Sequence, residues 1–214
     1  MRVDIFVDVI CPWCFIGKRQ LERALAMRPD LSPQKAWRPF QLNPDMPAEG
    51  MPADEFFALR FGSAAVVEER RETVAAIGST VGIDFAFDRI ARQPNTLDAH
   101  RLIRYALKRG QGDAMVEALF TAHFTAGRDI GDRIALAAIA GENGFDAREA
   151  EAFLQRGDET AVILGEDQEA RRIGVSGVPC YIFDRQYAVA GAQEPEFFLP
   201  LLDRAPSGTA QPAI

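Results

Sequence analysis

The sequence predicts an α/β domain interrupted by a large all-helical insertion, and three observations predict it. Strand-like segments occur only near the two ends of the chain, at residues 3–10 and 35–42 and again at 181–184 and 187–190. From residue 53 to about 172 the apolar spacing is helical, one segment after another, punctuated by Gly and by capping residues. A Cys-x-x-Cys pair, Cys11 and Cys14, stands where the first strand gives way to a helix.

Residues 3–10 are β-branched and aromatic, apolar apart from Asp4 and Asp8, which predicts a buried strand of about eight residues. Pro12 then sits just inside a helix, where a missing N–H costs nothing. Ile16, Leu21, Ala24 and Leu25 carry its apolar face to residue 27, and Pro29 and Pro33 close the unit. Trp37, Phe40 and Leu42 mark the second strand, and Pro39 marks it as an edge or a ragged end. Residues 43–52 hold three prolines and a Gly and read as a linker. Asn95 or Thr96 caps a helix running to 108, with Gly110 as its stop, and Asp132 and Asp158 are expected to cap helices 133–142 and 159–172. Arg185 and Gln186 form a tight hairpin between the last strands, and a final helix spans 194–202. The tail 206–214, rich in Pro, Ser, Gly, Ala and Gln, is expected to be disordered. The α/β domain is therefore discontinuous, 1–45 plus 159–205, with the insertion at 46–158.

Composition narrows the function. The chain has 214 residues, 48% hydrophobic and 26% charged, as in an ordinary globular protein. A net charge of -7 argues against nucleic acid, whose phosphates need clustered Lys and Arg. No apolar run approaches the roughly 18 residues of a membrane span, so no membrane partner is expected. The amino terminus enters a strand directly, without a basic region and apolar stretch, which points to the cytoplasm. Three cysteines are too few for a disulfide framework or a four-thiolate zinc site, and His100 and His123 are the only histidines. No metal is expected. In a reducing compartment a Cys-x-x-Cys pair of this kind is a redox pair.

A thiol at the first turn of a helix meets unpaired backbone N–H groups and the positive end of the helix dipole, which favour the thiolate. Cys11 is thus the nucleophile. Cys14, one turn further in, resolves the mixed disulfide. Pro12 and Trp13 stiffen the turn and give it an apolar lip. The second half of the signature is Gly174-Val175-Ser176-Gly177-Val178-Pro179, in which a proline opens a strand after a Gly-rich turn and can be held cis. Pro179 is expected beside the cysteines, leaving the Val178 backbone free to pair with a substrate strand.

These stretches, with Arg38-Pro39-Phe40-Gln41-Leu42-Asn43-Pro44-Asp45, Asn95-Thr96-Leu97-Asp98-Ala99-His100-Arg101 and Ala190-Gly191-Ala192-Gln193, resemble the DsbA-like branch of the thioredoxin superfamily, specifically FrnE-type dithiol–disulfide oxidoreductases. The resemblance spans nearly the whole chain. It implies a thioredoxin-like fold with a helical domain covering the dithiol, and oxidation or isomerisation of protein or small-molecule thiols and disulfides. Glutathione is the candidate redox partner, with no covalently bound cofactor, and the chain is expected as a monomer or homodimer. Kappa-class glutathione transferases and 2-hydroxychromene-2-carboxylate isomerases share the architecture but generally carry Ser where Cys11 stands. A glutathione-dependent isomerase or transferase is accordingly the alternative reading. Cys180 departs from the family, which usually has an aromatic residue after the cis-proline.

The remaining candidates divide between chemistry and structure. Asp8 is either a proton acceptor for Cys14 or a carboxylate capping the helix start. The resemblance turns the stretch holding His100 toward the dithiol, where it would stabilise a thiolate or shuttle a proton; the other reading is a packed histidine. By the same resemblance Asn95, Gly191 and Gln193 are candidate glutathione or substrate contacts. His123 shares a face with Val116, Leu119 and Phe120 and is expected in the core. Strand alternation sends Cys180 to the face opposite Pro179, as a small buried hydrophobe. Phe56-Phe57 and Phe197-Phe198 are expected to be core residues.

Overall fold

A computed structural model describes residues 1–204; the tail expected to be disordered lies outside the described residues. The chain begins with β1 (Arg2–Val7), α1 (Pro12–Ala26) and β2 (Gln34–Pro39). A two-residue strand β3 (Met51–Pro52) leads to α2 (Ala53–Phe61) and α3 (Ala64–Thr80), and a second short strand β4 (Arg92–Gln93) pairs back antiparallel to β3. Helices α4 (Leu97–Leu107), α5 (Gly112–Phe124), α6 (Arg133–Glu142), α7 (Ala147–Arg156) and α8 (Thr160–Arg172) follow. The chain ends with β5 (Cys180–Phe183), β6 (Tyr187–Ala190) and α9 (Pro195–Leu202). Among the described residues no helix is long and apolar enough to cross a membrane.

The main sheet has the order β2-β1-β5-β6, with β1 and β2 parallel and the other pairs antiparallel. Thus the chain leaves the sheet after β2 and returns at β5, with the helical block between. Side chains alternate along β1 as a strand requires. Val3, Ile5 and Val7 join Phe15 and Leu21 of α1 and Phe198 of α9 in the main core, along with Tyr181 and Phe183. Phe6 points the other way, into a small cluster with Phe40, Ala170 of α8, Val175 and Cys180. The sheet is therefore a filling between two layers of helix, the arrangement that buries both faces.

Several boundaries differ from expectation for physical reasons, the second strand among them: it ends at Pro39, not at residue 42. The first strand stops at Val7, opposite Pro39, which has no N–H of its own; the last bond of the ladder comes from Phe40, whose N–H donates to the Val7 carbonyl at 3.0 Å. Residues 8–10, read as strand, instead form the turn that swings Cys11 onto α1. Asp132 caps α6, accepting from the N–H groups of Ile134 and Ala135, but Asp158 does not cap α8. The left-handed residue Glu159 (φ 67°) occupies that position, and the Asp158 carboxylate pairs with Arg156 at 2.8 Å. In the β5–β6 hairpin Asp184 and Arg185 both take positive φ, 47° and 60°, so the turn begins one residue earlier than read.

Polar anchors tie the helical block to the sheet unit and hold the block together within itself. Lys18, buried on α1, reaches Glu117 of α5 at 2.7 Å, and Arg19 grips the same carboxylate. Arg101 on α4 is fully buried and donates to the carbonyls of Phe153, Leu154 and Asp158 at 3.0, 3.0 and 2.7 Å. These carbonyls lie in the last turn of α7 and just beyond it, so Arg101 closes that helix end onto α4.

Candidate active site

Cys11 stands at the N-cap position of α1, with extended backbone (φ −93°, ψ 111°) and Pro12 as the first helical residue. Its N–H donates to the Asp8 carbonyl at 3.0 Å, and its own carbonyl accepts from Cys14 at 3.0 Å. No side chain caps α1 and its first turn holds no acidic residue, so the sulfur of Cys11 has no competitor for the positive end of the helix. The thiol donates to the Val178 carbonyl at 3.6 Å, and the Val178–Pro179 peptide is cis. The structure thus brings Cys11, Cys14, Val178 and Pro179 together. The Val178 carbonyl, read as free for a substrate strand, is the acceptor of the thiol while that thiol is protonated.

The two sulfurs differ in access. Cys11, Pro12 and Trp13 form one wall of a cleft of about 510 Å³, whereas Cys14 does not reach it. Cys14 is sealed beneath, and burial first, then the neighbouring Cys11 and the Asp8 carboxylate, push its thiol well above the ordinary range; the Asp8 main chain pulls the other way. All three cysteines are free thiols. Cys180 lies across the sheet with Phe6, Phe40, Ala170 and Val175, and burial raises its thiol too. It faces away from the dithiol, as alternation along β5 requires.

Asp8 is fully buried behind the pair. Its Oδ2 accepts from the Leu42 N–H at 2.7 Å, so its structural task is to pin the loop after β2 and not to cap α1. Its Oδ1 faces His100 Nε2 at 3.4 Å, and among the described residues neither atom has a hydrogen-bond partner. His100 is a buried residue of α4 and does not line the cleft. Asn95 is fully engaged elsewhere: its Nδ2 donates to the Met46 carbonyl at 2.7 Å and its Oδ1 accepts from Leu97 at 2.9 Å. The amide therefore staples the linker to the start of α4, outside the cleft lining. Gly191, at φ 82°, donates to the Pro179 carbonyl at 2.8 Å, and the Gln193 amide donates to the Ala190 carbonyl at 2.8 Å. That loop braces the cis-proline; its polar side chain closes on itself.

Sequence reasoning passed over Tyr181 and Gly17, and it gave His123 to the core alone. His123 is buried, as expected of a core residue, yet it lines the cleft with Cys11, and its Nδ1 has no partner among the described residues. Burial pushes its imidazole down to about 4, against the Arg128 backbone and the Asp8 charge, so it is neutral at ordinary pH. Tyr181 is buried beside the dithiol with an unpartnered hydroxyl, and Gly17, one turn after Cys14, leaves room for that oxygen. A Cβ at position 17 would lie 2.2 Å from the Tyr181 hydroxyl and 3.0 Å from Pro179 Cγ. Counting two residues past Pro179 would have put Tyr181 on the dithiol face. Phe56 and Phe57, read as core, instead line the cleft with Phe61. They are corrected by the loose seating of α2, which buries only Ala53. Phe198 is fully buried as read, whereas Phe197 is exposed.

A helix-borne Cys-x-x-Cys beside a cis-proline on a four-stranded sheet defines a thioredoxin-like thiol protein. The family model of the DSBA-like thioredoxin domain matches residues 2–203, and the chain belongs to that family. Among solved structures it is similar to the probable DsbA oxidoreductase SCO1869 from Streptomyces coelicolor, at 29% identity and a TM-score of 0.89, covering 100% of this chain and 93% of that one. The fold is shared with the cytosolic disulfide reductase DsbM from Pseudomonas aeruginosa, solved with GSH (18% identity, TM-score 0.66, 93% and 92% covered). It is also shared with a 2-hydroxychromene-2-carboxylate isomerase (19% identity, TM-score 0.68, 90% and 89% covered). A DsbA-like oxidoreductase acting on thiol or disulfide substrates is the class these findings support.

Proposed function

We propose that the protein exchanges thiols and disulfides through a mixed disulfide at Cys11 that Cys14 resolves. One observation carries the reading: of two free thiols one helical turn apart, Cys11 opens onto a cleft and Cys14 is sealed under it. The Cys11 thiolate attacks one sulfur of a substrate disulfide, the S–S bond breaks, and one substrate thiol leaves. Cys14 then attacks Cys11 Sγ, the second substrate thiol leaves, and the Cys11–Cys14 disulfide holds the two electrons' worth of oxidation. Run backwards, the same steps oxidise a dithiol.

The high pKa direction of Cys14 means its proton must be accepted as it attacks. Asp8 is the acceptor we propose; its unpartnered Oδ1, with His100 Nε2 3.4 Å away to share the proton, supports that role. Pro12 and Trp13 shape the mouth, and Pro179 withholds a backbone donor beside the sulfurs. Glutathione is the proposed soluble redox partner, by analogy with the neighbour solved with GSH, and the loop of Gly191 and Gln193 is its candidate contact. A cytosolic setting is part of the proposal, in keeping with that neighbour's description.

Equilibration against glutathione redox buffers tests the reading. A single two-electron transition between roughly −120 and −270 mV is expected for the wild type. In Cys14→Ser the transition disappears and mass spectrometry finds Cys11 trapped with one glutathione. Absence of any reversible disulfide would sink the redox mechanism. Glutathione-dependent turnover that survives Cys14→Ser would favour an isomerase or transferase instead.

A further inference from the structure

The proposed exchange leaves the opposite wall of the cleft without a task. Facing Cys11 across the opening are α2 and α3, which contribute Phe57, Phe61, Arg60, Arg70 and Arg71. Several arginines of this chain close on carboxylates, as Arg19 does on Glu117, Arg38 on Asp4 and Arg104 on Glu159. Among the described residues Arg60, Arg70 and Arg71 make no ion pair. Two of them lie instead over aromatic rings, Arg70 at 4.9 Å from the Phe61 centroid and Arg71 at 5.2 Å from that of Phe57. A ring face holds a guanidinium in place without neutralising it. Among the described residues Glu69 is the one carboxylate in the lining, and His123 is neutral, so the lining carries an excess of positive charge on a chain whose net charge is -7.

We infer that this cleft takes a small organic disulfide with a flat apolar body and carboxylate groups, the arginines holding the carboxylates while the phenylalanines cover the body. This rests on the exchange mechanism proposed for Cys11 and Cys14. A volume of about 510 Å³ suits a small molecule, and α2 and α3 stand where a folded protein substrate would have to approach Cys11. Arginine offers a planar fork to a carboxylate, and its charge raises the local concentration of anions against the field of the rest of the molecule. The step conserves electrons as before: the substrate disulfide gains two electrons and two protons and leaves as two carboxylate-bearing thiols, while Cys11 and Cys14 become a disulfide.

Two probe disulfides separate recognition from chemistry. Dithiobis(nitrobenzoate) is aromatic and carries carboxylates; dithiodipyridine is aromatic and carries none. The reduced protein is mixed with each, and the rate constants are compared as a ratio, anionic over neutral. In Arg60→Gln/Arg70→Gln/Arg71→Gln that ratio is expected to fall by about tenfold or more, within the range of electrostatic steering. Wild-type protein needs no variant for the second measurement: its ratio should drop steeply as salt rises from about 0.01 to 1 M, as the Debye length shrinks from about 30 to 3 Å. A salt-independent ratio, or a ratio unchanged in the triple variant, overturns the inference while leaving the exchange mechanism standing. Failure to reduce either probe would remove the mechanism itself, and this inference with it.

Discussion

Along α1, eight of fifteen residues are buried, and its polar side chains are locked to α5 and to the start of α9; α2, across the cleft, buries Ala53 alone, and α3 buries only Val67, Val74 and Gly78. Both walls touch the same opening. The difference separates two jobs. Sulfur chemistry depends on a helix terminus, a buried second thiol and a proline held within a few ångströms of one another, and only the densely packed wall can fix them. The other wall presents aromatic rings and arginines from helices held by few buried side chains, where residues can change without disturbing the sulfurs. Substitutions on the first wall should therefore cost stability or mechanism, and those on the second should cost selectivity alone.

His123 offers the largest test of the dense wall. Its imidazole is buried and pushed down to about 4 from the ordinary 6.5, so the folded chain refuses a proton that the unfolded chain accepts. Stability from this group is full above pH 6.5 and is lost as pH falls from 6.5 to about 4, a total of about 3 kcal/mol at 1.36 kcal/mol per pH unit. Urea midpoints measured at pH 7, 5.5 and 4 should fall more steeply for the wild type than for His123→Leu. Parallel lines for the two proteins would mean that His123 titrates normally and that the site is wetter than its packing indicates.

Gly17 comes next. Helix propensity alone favours Ala over Gly by about 1 kcal/mol. Overpacking costs about 1–3 kcal/mol, and here the added methyl would meet the Tyr181 hydroxyl at 2.2 Å. Gly17→Ala should lose up to about 2 kcal/mol net, with a melting temperature lower by up to about 8 °C. Tyr181→Phe in that background should recover part of the loss, because the phenolic oxygen is the nearest obstacle. No recovery would place the strain at Pro179 instead.

Much of the dense wall was legible because its signals are local. A strand pattern, Cys-Pro-Trp-Cys and a distant Val178-Pro179 each state their geometry through backbone chemistry, and alternation along β5 told which way Cys180 would face. The cleft was not legible, because it is made of residues far apart in sequence whose local pattern suits a core equally well. Phe56 and Phe57 read as core since an apolar residue on a short helix has no mark showing whether its neighbour is protein or solvent. His123 has the spacing of a core residue and is one, but only the packing of α1 against α5 shows that Cys11 opens beside it. Asn95 illustrates the converse: it stands in a motif stretch, yet its amide is spent on Met46 and Leu97.

The smallest effect sharpens the comparison from the loose side. Leu59 on α2 is 76% exposed and does not line the cleft. Gln matches Leu in helix propensity, and a surface substitution without partners ordinarily stays within about 0.5 kcal/mol. Leu59→Gln should therefore leave the urea midpoint and the reduction potential unchanged within error. The outer face of α2 would then be solvent-facing, with α2 held only by its cleft side. A loss above about 1 kcal/mol, growing with protein concentration in the wild type, would show instead that a second copy covers this face. In that case α2 is packed after all, the contrast between the walls disappears in the assembly, and selectivity substitutions on α2 would carry a stability cost.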